Sequence, residues 1–203
     1  FAFVSARAFV LLLAAIGLVQ PSIAPAQDAR ACDPLALTLT VRNVGVSLGD
    51  SRRTVGARLN FGDRCLETVT GLNTTLFPPF AARGTVNGLA LGFPLTGSGR
   101  LRGVGVGIGL FFGNAGAPAG AADGLLLGGV ATVSESPARG VLVGGVGAGV
   151  GARATGVVMG GVTAVATGPG RGLFLGGLLA ATGGPGTGLF VGGLGAGTNE
   201  SLR

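Results

Sequence analysis

The feature that most constrains this chain is a sixteen-residue repeat in its second half. Five units follow one another without an insertion, and each begins with glycine. They start at Gly124, Gly140, Gly156, Gly172 and Gly188. Two looser units start at Gly88 and Gly103, and the second carries extra residues around 115–122 that we expect to form a loop. A fixed period of this length indicates stacked structural units.

Each position of the unit keeps its residue type. The first, fifth and sixth positions are Gly, and the second, fourth and seventh are Leu, Val or Met. The ninth is Thr or Ala, and the last six positions are rich in turn-forming residues. Glycine inside a helix costs about 0.5–1 kcal/mol relative to Ala, whereas stacked coils pair their backbones about 4.8 Å apart. We therefore expect an all-β fold, a narrow β-solenoid with one coil per unit. Its corner glycines would supply positive φ, and the small ninth residues would let opposing walls approach.

The sequence before the repeat has the texture of ordinary β-strands. Apolar residues alternate with polar or small ones over 35–41, 44–48 and 55–61, which is a period of two. A further run over 65–77 stops at Pro78-Pro79, because proline cannot donate to a strand ladder. These runs predict short strands, antiparallel or coiled.

Composition and texture together divide the chain into three parts. We expect a signal peptide over 1–26, an N-terminal β-rich capping segment over 27–87 and the glycine-rich solenoid over 88–203. The sequence opens on Phe1 and closes on Arg203 at a unit boundary, without the polar cap that solenoids need. We therefore expect the natural protein to continue at both ends.

The first segment has the order of elements found in secretory signals. Arg7 precedes the apolar run 8–19, and residues 24–26 form an Ala-Pro-Ala cleavage pattern that leaves Gln27 as the first mature residue. The pattern predicts export to the periplasm, the outer membrane or the extracellular space. Two alternatives are a short buried helix and a lipoprotein anchored at Cys32.

The two cysteines are expected to form a disulfide if the chain is exported. Cys32 and Cys65 would pair in an oxidising compartment and close a loop of 34 residues. A disulfide of that span contributes roughly 3–4 kcal/mol in the chain-entropy estimate. Two unpaired buried thiols are the alternative.

The residues needed for most catalytic chemistry are missing. The chain has no His and no Lys, and it contains neither a dinucleotide fingerprint nor a phosphate-binding loop. We expect no catalytic, cofactor-binding or metal-binding residues, and no cofactor. One alternative is an enzyme site around residues 43–67, with Arg52 and Asp63 essential. The groups that could meet there are Asp50, Asp63 and Glu67, near Arg52, Arg53, Arg58 and Arg64.

The formal net charge is +6, and all fourteen basic residues are arginines. Arg139, Arg171 and Arg203 close alternate units, with threonines between them. This column is either a solvated corner or a charged stripe for anionic surfaces. We expect no nucleic-acid partner, because the arginines are dispersed and the chain carries an export signal.

The pattern Gly-apolar-x-apolar-Gly-Gly-apolar-Gly, most intact over 188–195 (GLFVGGLG) and 140–147 (GVLVGGVG), resembles glycine-rich repeat proteins exported by Gram-negative bacteria. The segment over 41–61 resembles the one that introduces such repeats, so the similarity spans 33–203. The resemblance implies a β-solenoid in the envelope or outside the cell. It implies no activity and no site residues.

These features predict an exported, non-enzymatic structural or surface-interaction protein of the bacterial envelope. Self-association, a cell-surface partner and membrane association remain open as its mode of contact. The alternative is an outer-membrane β-barrel-like protein, because apolar segments of about ten residues lie between the turns. Adjacent apolar residues within a unit and the absence of Trp and Tyr argue against that alternative.

Overall fold

The structure is a computed structural model that describes residues 36–42, 44–61, 66–76, 84–113 and 121–199. The chain divides into two compact units, Phe1–Cys32 and Asp33–Arg203, and every described residue belongs to the second. The predicted signal peptide, Cys32 and Cys65 lie outside the described residues.

The described residues form β-strands, turns and bends, without a helix. Three strands of 13 or 14 residues stand in the middle of the chain, and shorter ones precede and follow them. The strands are β1 (Ala36–Val41), β2 (Val44–Gly49), β3 (Arg53–Asn60), β4 (Thr68–Thr75), β5 (Thr85–Ser98), β6 (Arg100–Phe112), β7 (Ala121–Ser134), β8 (Ala138–Gly144), β9 (Gly147–Val150), β10 (Ala154–Gly160), β11 (Thr163–Ala166), β12 (Gly170–Gly176), β13 (Leu179–Thr182), β14 (Gly186–Gly192) and β15 (Gly195–Thr198).

The strands stack in parallel at the repeat period, which confirms the β-solenoid. In β8, β10, β12 and β14 each residue pairs with the residue sixteen positions on, so that Gly140 faces Gly156 and Gly156 faces Gly172. The shorter strands β9, β11, β13 and β15 form a second parallel ladder in the same register. Among the described strands, β1 is the exception, because it pairs with β2 as an antiparallel hairpin.

From β5 onward, each coil therefore has two walls. We call wall A the ladder formed by β2–β4, the first parts of β5–β7, and β8, β10, β12 and β14. Wall B consists of the last parts of β5–β7 with β9, β11, β13 and β15. Backbone hydrogen bonds continue through the bends between the walls. Gly161 N donates to Gly144 O at 3.2 Å, and Gly168 N donates to Ala152 O at 3.2 Å. The bends thus repeat in the same register as the strands.

The glycine that opens each unit lies inside a wall A strand and not at a corner. Ten such glycines are in register among the described residues, with φ between 115° and 142°; they are Gly45, Gly56, Gly71, Gly88, Gly103, Gly124, Gly140, Gly156, Gly172 and Gly188. A Cβ on Gly156 would overlap the carbonyl oxygen of Gly140 in the preceding coil. The prediction that positive φ belongs to the corners was wrong. This column excludes side chains because the coils approach closely at a backbone angle that L-residues avoid.

The Gly-Gly pair at positions five and six marks the bend between wall A and wall B. A Cβ on Gly160 would overlap the carbonyl of Thr163 within its own coil, and one on Gly161 would overlap the carbonyl of Gly145 in the coil before. These glycines are therefore required for lack of space, without a positive φ.

The interior of the solenoid is built from the third, ninth and eleventh positions and the residue two before each opening glycine. The third position supplies the large side chains, Leu126, Leu142, Val158 and Phe174, each at most 1% exposed. The ninth and eleventh supply small ones from wall B, such as Ala164 and Ala166. The small ninth-position residues thus face the interior. The third position was not singled out from the sequence.

The strands before residue 88 continue the same ladder. β2 pairs with β3, β3 with β4 and β4 with β5, all in parallel and with their glycines aligned. The change of texture at residue 88 therefore coincides with no break in strand pairing. Coil lengths vary here, with 11 residues between Gly45 and Gly56 and 15 between Gly56 and Gly71, as read from the aligned positions.

Candidate functional site: the outer face of wall A

Wall A turns two apolar columns outward, at the second and fourth positions of each coil. Strand alternation requires this arrangement, because the buried third position lies between them. The second-position column is Val46, Ala57, Leu72, Leu89, Val104, Leu125, Val141, Val157, Leu173 and Leu189. The fourth-position column is Leu48, Leu59, Thr74, Leu91, Val106, Leu127, Val143, Met159, Leu175 and Val191. Two of these twenty residues, Ala57 and Thr74, are small or polar. We call these two columns the apolar face.

The hairpin strand β1 extends the apolar face. Leu39 stands opposite Val46 and Leu37 opposite Leu48 in the antiparallel register. Residues directly opposite in such a pair share a face of the sheet. Leu37 and Leu39 are 65% and 72% exposed, the fourth-position Met159 is 36% exposed, and Val191 is 48% exposed.

A shallow groove runs along this face in the strictly periodic coils. The groove is lined by the fourth-position side chains Val143, Met159, Leu175 and Val191, and the Gly-Gly bends form its edge. The lining therefore consists of aliphatic side chains, Met and backbone, with no charged group among the residues that form it. Such a groove can bind apolar groups but offers no residue for catalysis.

Arginines flank the apolar face on the same side of the strands. Arg102, Arg139 and Arg171 each lie two residues before the second-position residue of their coil, and all three are exposed. They share one column with Asp123, Thr155 and Thr187. The charged stripe considered from the sequence thus borders an apolar surface, and Arg203 lies outside the described residues.

The interior of the first coils is polar, in contrast to their apolar exterior. The third position holds Ser47, Arg58 and Asn73 there, all at most 1% exposed. Arg58 Nη2 donates to Asp50 Oδ1 at 2.6 Å, and Arg58 Nη1 donates to Asn73 Oδ1 at 3.0 Å. Buried ions need such partners because removing a charge from water is costly. The contacts with Asp50 and Asn73 therefore explain how the charged Arg58 can be buried.

The groups proposed from the sequence as an enzyme site are divided between inside and outside. Asp50 pairs with the buried Arg58, whereas Glu67 accepts a 2.7 Å hydrogen bond from Nε of Arg53, a side chain 72% exposed. Arg52 is also exposed, and Asp63 and Arg64 lie outside the described residues. The described residues thus form two separate ion pairs and not one cluster of carboxylates.

Three further findings concern possible sites among the described residues. Within the described ranges, no group of three or more Cys, His, Asp or Glu side chains is placed to hold a metal ion. None of the described residues belongs to a helix with the length and apolar character to cross a membrane. Residues 73–75 form an Asn-x-Thr sequence, the acceptor pattern for N-glycosylation. Asn73 is fully buried, however, and its Nδ2 donates to Thr75 Oγ1 at 3.4 Å.

Comparison with known proteins identified no relative of this chain. No protein-family description matches the chain, and neither a curated protein nor a solved structure is similar to it. The class that the fold defines is a β-solenoid with coils of about sixteen residues.

Proposed function

We propose that this chain is an exported, non-catalytic β-solenoid that acts at the bacterial envelope through the apolar face. The observation that carries the proposal is the outward direction of two columns with eighteen large apolar side chains in ten coils. Contiguous apolar patches of this kind mark contact surfaces on soluble proteins.

The leader and the resemblance to exported glycine-rich repeat proteins support the location. An apolar run over 8–19 after Arg7, followed by a small-residue cleavage pattern, is typical of secretory signals. The repeat pattern of 140–147 supports the same location through its similarity to the exported family. A structural role agrees with a groove that offers aliphatic contacts alone.

The test is expression of the full chain in a Gram-negative host, followed by fractionation and mass spectrometry. We expect cleavage between Ala26 and Gln27 and retention of the product with the envelope. The outer-face variant Leu127→Thr/Met159→Thr should release the product from the envelope. Threonine preserves strand propensity, so the fold should remain intact.

The matched control is Val133→Thr/Val165→Thr, which changes the outer side of wall B in the same two coils. It should leave retention unchanged. Uncleaved product in the cytoplasm would overturn the proposed export. Equal retention of the outer-face variant and the wild type would overturn the proposed contact surface.

A further inference from the structure

The outer side of wall A combines charge and apolar surface in each row of side chains. In β8 the outward row is Arg139, Val141 and Val143, and in β12 it is Arg171, Leu173 and Leu175. The strands between them carry Thr in place of Arg. Arginine is therefore placed along one edge of the apolar face, at every second coil in this part of the stack.

The apolar face is large for a surface in contact with water. Ten coils about 4.8 Å apart and two columns of side chains about 12 Å wide cover on the order of 500 Å². This is near the upper end of the largest apolar patches on ordinary monomers, which are often functional. A stable protein–protein interface buries roughly 800 Å² from each partner, of which a little over half is apolar, so area alone does not distinguish a lipid surface from a second copy.

The surface charge has one predominant sign. The described residues contain nine arginines and four carboxylates, a net charge of +5. Arg102, Arg139 and Arg171, which border the apolar face, are all exposed. Asp123 interrupts the arginine column between Arg102 and Arg139. The column nevertheless remains positive overall, because it contains three arginines and one carboxylate.

We propose that the apolar face, with its arginine edge, is a docking surface for a bilayer that contains anionic phospholipids. This inference rests on the proposed function and names the partner of the same surface. The aliphatic side chains would enter the boundary between headgroups and acyl chains, as the apolar side of an interfacial helix does. The arginines would bind lipid phosphates, since a guanidinium donates two parallel hydrogen bonds to phosphate oxygens.

A second copy of the chain fits this surface less well than a lipid bilayer. A second copy would bring the same excess of arginine to the contact, and like charges placed against one another oppose association. An anionic bilayer supplies both an apolar phase and the opposite charge.

A tryptophan scan can locate the contact, because the chain has no native Trp. The full chain would carry Met159→Trp or Leu127→Trp on the apolar face, or Val165→Trp or Val133→Trp on wall B as matched controls. Each would be mixed with vesicles of equimolar phosphatidylcholine and phosphatidylglycerol, or of phosphatidylcholine alone. The emission wavelength and the quenching by brominated acyl chains report whether the introduced Trp enters the bilayer. Because the signal comes from that one side chain, binding through residues 1–35 alone would not produce it.

We expect a shift to shorter wavelength and quenching for the two apolar-face reporters with anionic vesicles, and neither change for the wall B reporters. Equal responses from both walls, or none from the apolar face, would overturn the proposal. So would a blue shift that depends on protein concentration without vesicles, because it would identify a second copy as the occupant. Equal entry into neutral and anionic vesicles would overturn the role of the arginines.

The arginine edge has its own test. Arg139→Gln/Arg171→Gln should weaken binding to the anionic vesicles by roughly 20- to 30-fold, at about fivefold per charge. Equal binding of this variant and the wild type to the anionic vesicles would overturn docking by this edge. If the envelope retention described above depends on the apolar face while vesicles do not bind, the lipid inference fails and the proposed function stands.

Discussion

Phe174 and Phe190 stack across neighbouring coils, with ring centroids 4.8 Å apart and ring planes 13° from parallel. They are sixteen residues apart and occupy the same third position. The residues four positions earlier in the same strands differ from those of the preceding coils. Gly170 and Gly186 stand where the Leu142 and Val158 coils have Ala138 and Ala154, and a Cβ on Gly170 would lie 2.9 Å from Phe174 Cζ. Gly170 thus leaves the space that the Phe174 ring occupies.

The first prediction tests the role of this space. Gly170→Ala should lower the free energy of unfolding by about 1–3 kcal/mol, because the added methyl overpacks against Phe174 and Thr182. Adding Phe174→Leu should recover part of the loss, with a coupling energy of at least about 0.5 kcal/mol. Urea unfolding followed by circular dichroism measures both. Leu142→Val, at the same position two coils away, is the control, and equal recovery from it would contradict a contact confined to one coil.

The second prediction concerns the column of opening glycines. Gly156→Ala should destabilise the fold by about 2–5 kcal/mol, because φ of 119° is strained for an L-residue and the methyl meets the Gly140 carbonyl. Gly149→Ala is the matched control, since its Cβ would meet a single neighbour, Val165 Cγ2, at 3.9 Å. That variant should be neutral or gain up to about 1 kcal/mol. The midpoints of thermal unfolding of the two variants measure the difference in stability. Similar midpoints would contradict the explanation that the opening glycine is required by its φ and by the close Gly140 carbonyl.

The third prediction concerns the polar interior of the first coils. Asp50→Ala should cost about 3–5 kcal/mol, because it removes the carboxylate that faces the buried Arg58. Asp50→Ala/Arg58→Met should regain much of this stability, since an apolar side chain of similar length needs no counterion. The exposed pair offers the comparison, and Glu67→Ala should cost at most about 1 kcal/mol. Chemical denaturation of the four proteins measures these differences, and equal costs at Asp50 and Glu67 would refute them.

The fourth prediction concerns the cysteines, which lie outside the described residues. If Cys32 and Cys65 pair, the exported protein should show no reactive thiol and should lose roughly 3–4 kcal/mol on reduction. Thiol labelling with mass spectrometry before and after reduction counts the free groups. Two labelled cysteines in the unreduced, unfolded chain would contradict the disulfide.

The register of the solenoid could be predicted because the repeat has no insertion. Five glycines at an interval of sixteen residues can align in neighbouring coils in one way, and Gly140, Gly156 and Gly172 do so. The looser coils were harder to predict. The runs over 44–48 and 55–61 were compatible with antiparallel or coiled strands, because alternation alone does not give strand direction.

Hydrophobicity could not predict which residues of a wall face the interior and which face outward. Leu125, Leu126 and Leu127 are consecutive leucines, yet Leu126 is buried and Leu127 is 38% exposed. In the first coils the usual expectation is reversed, since Val55 and Leu59 face outward while Arg58 is buried. The alternation of the charged Arg58 with apolar neighbours is a sequence signal at this position. The same alternation is expected of a residue on a solvated face, so it did not predict that Arg58 is buried.

The sequence by itself therefore determined the period, the register and the absence of helix from the described coils, because glycine at fixed positions permits few backbone arrangements other than stacked coils. The tertiary structure decided which apolar column fills the interior and which faces outward. That choice depends on the space around Phe174, which Gly170 of its own strand and Thr182 of the opposite wall leave free, and on partners for buried charge, where Asp50 meets Arg58. Thr182 meets Phe174, and Asp50 meets Arg58, because the chain bends between two strands, so composition and periodicity could not reveal the outer apolar face of wall A.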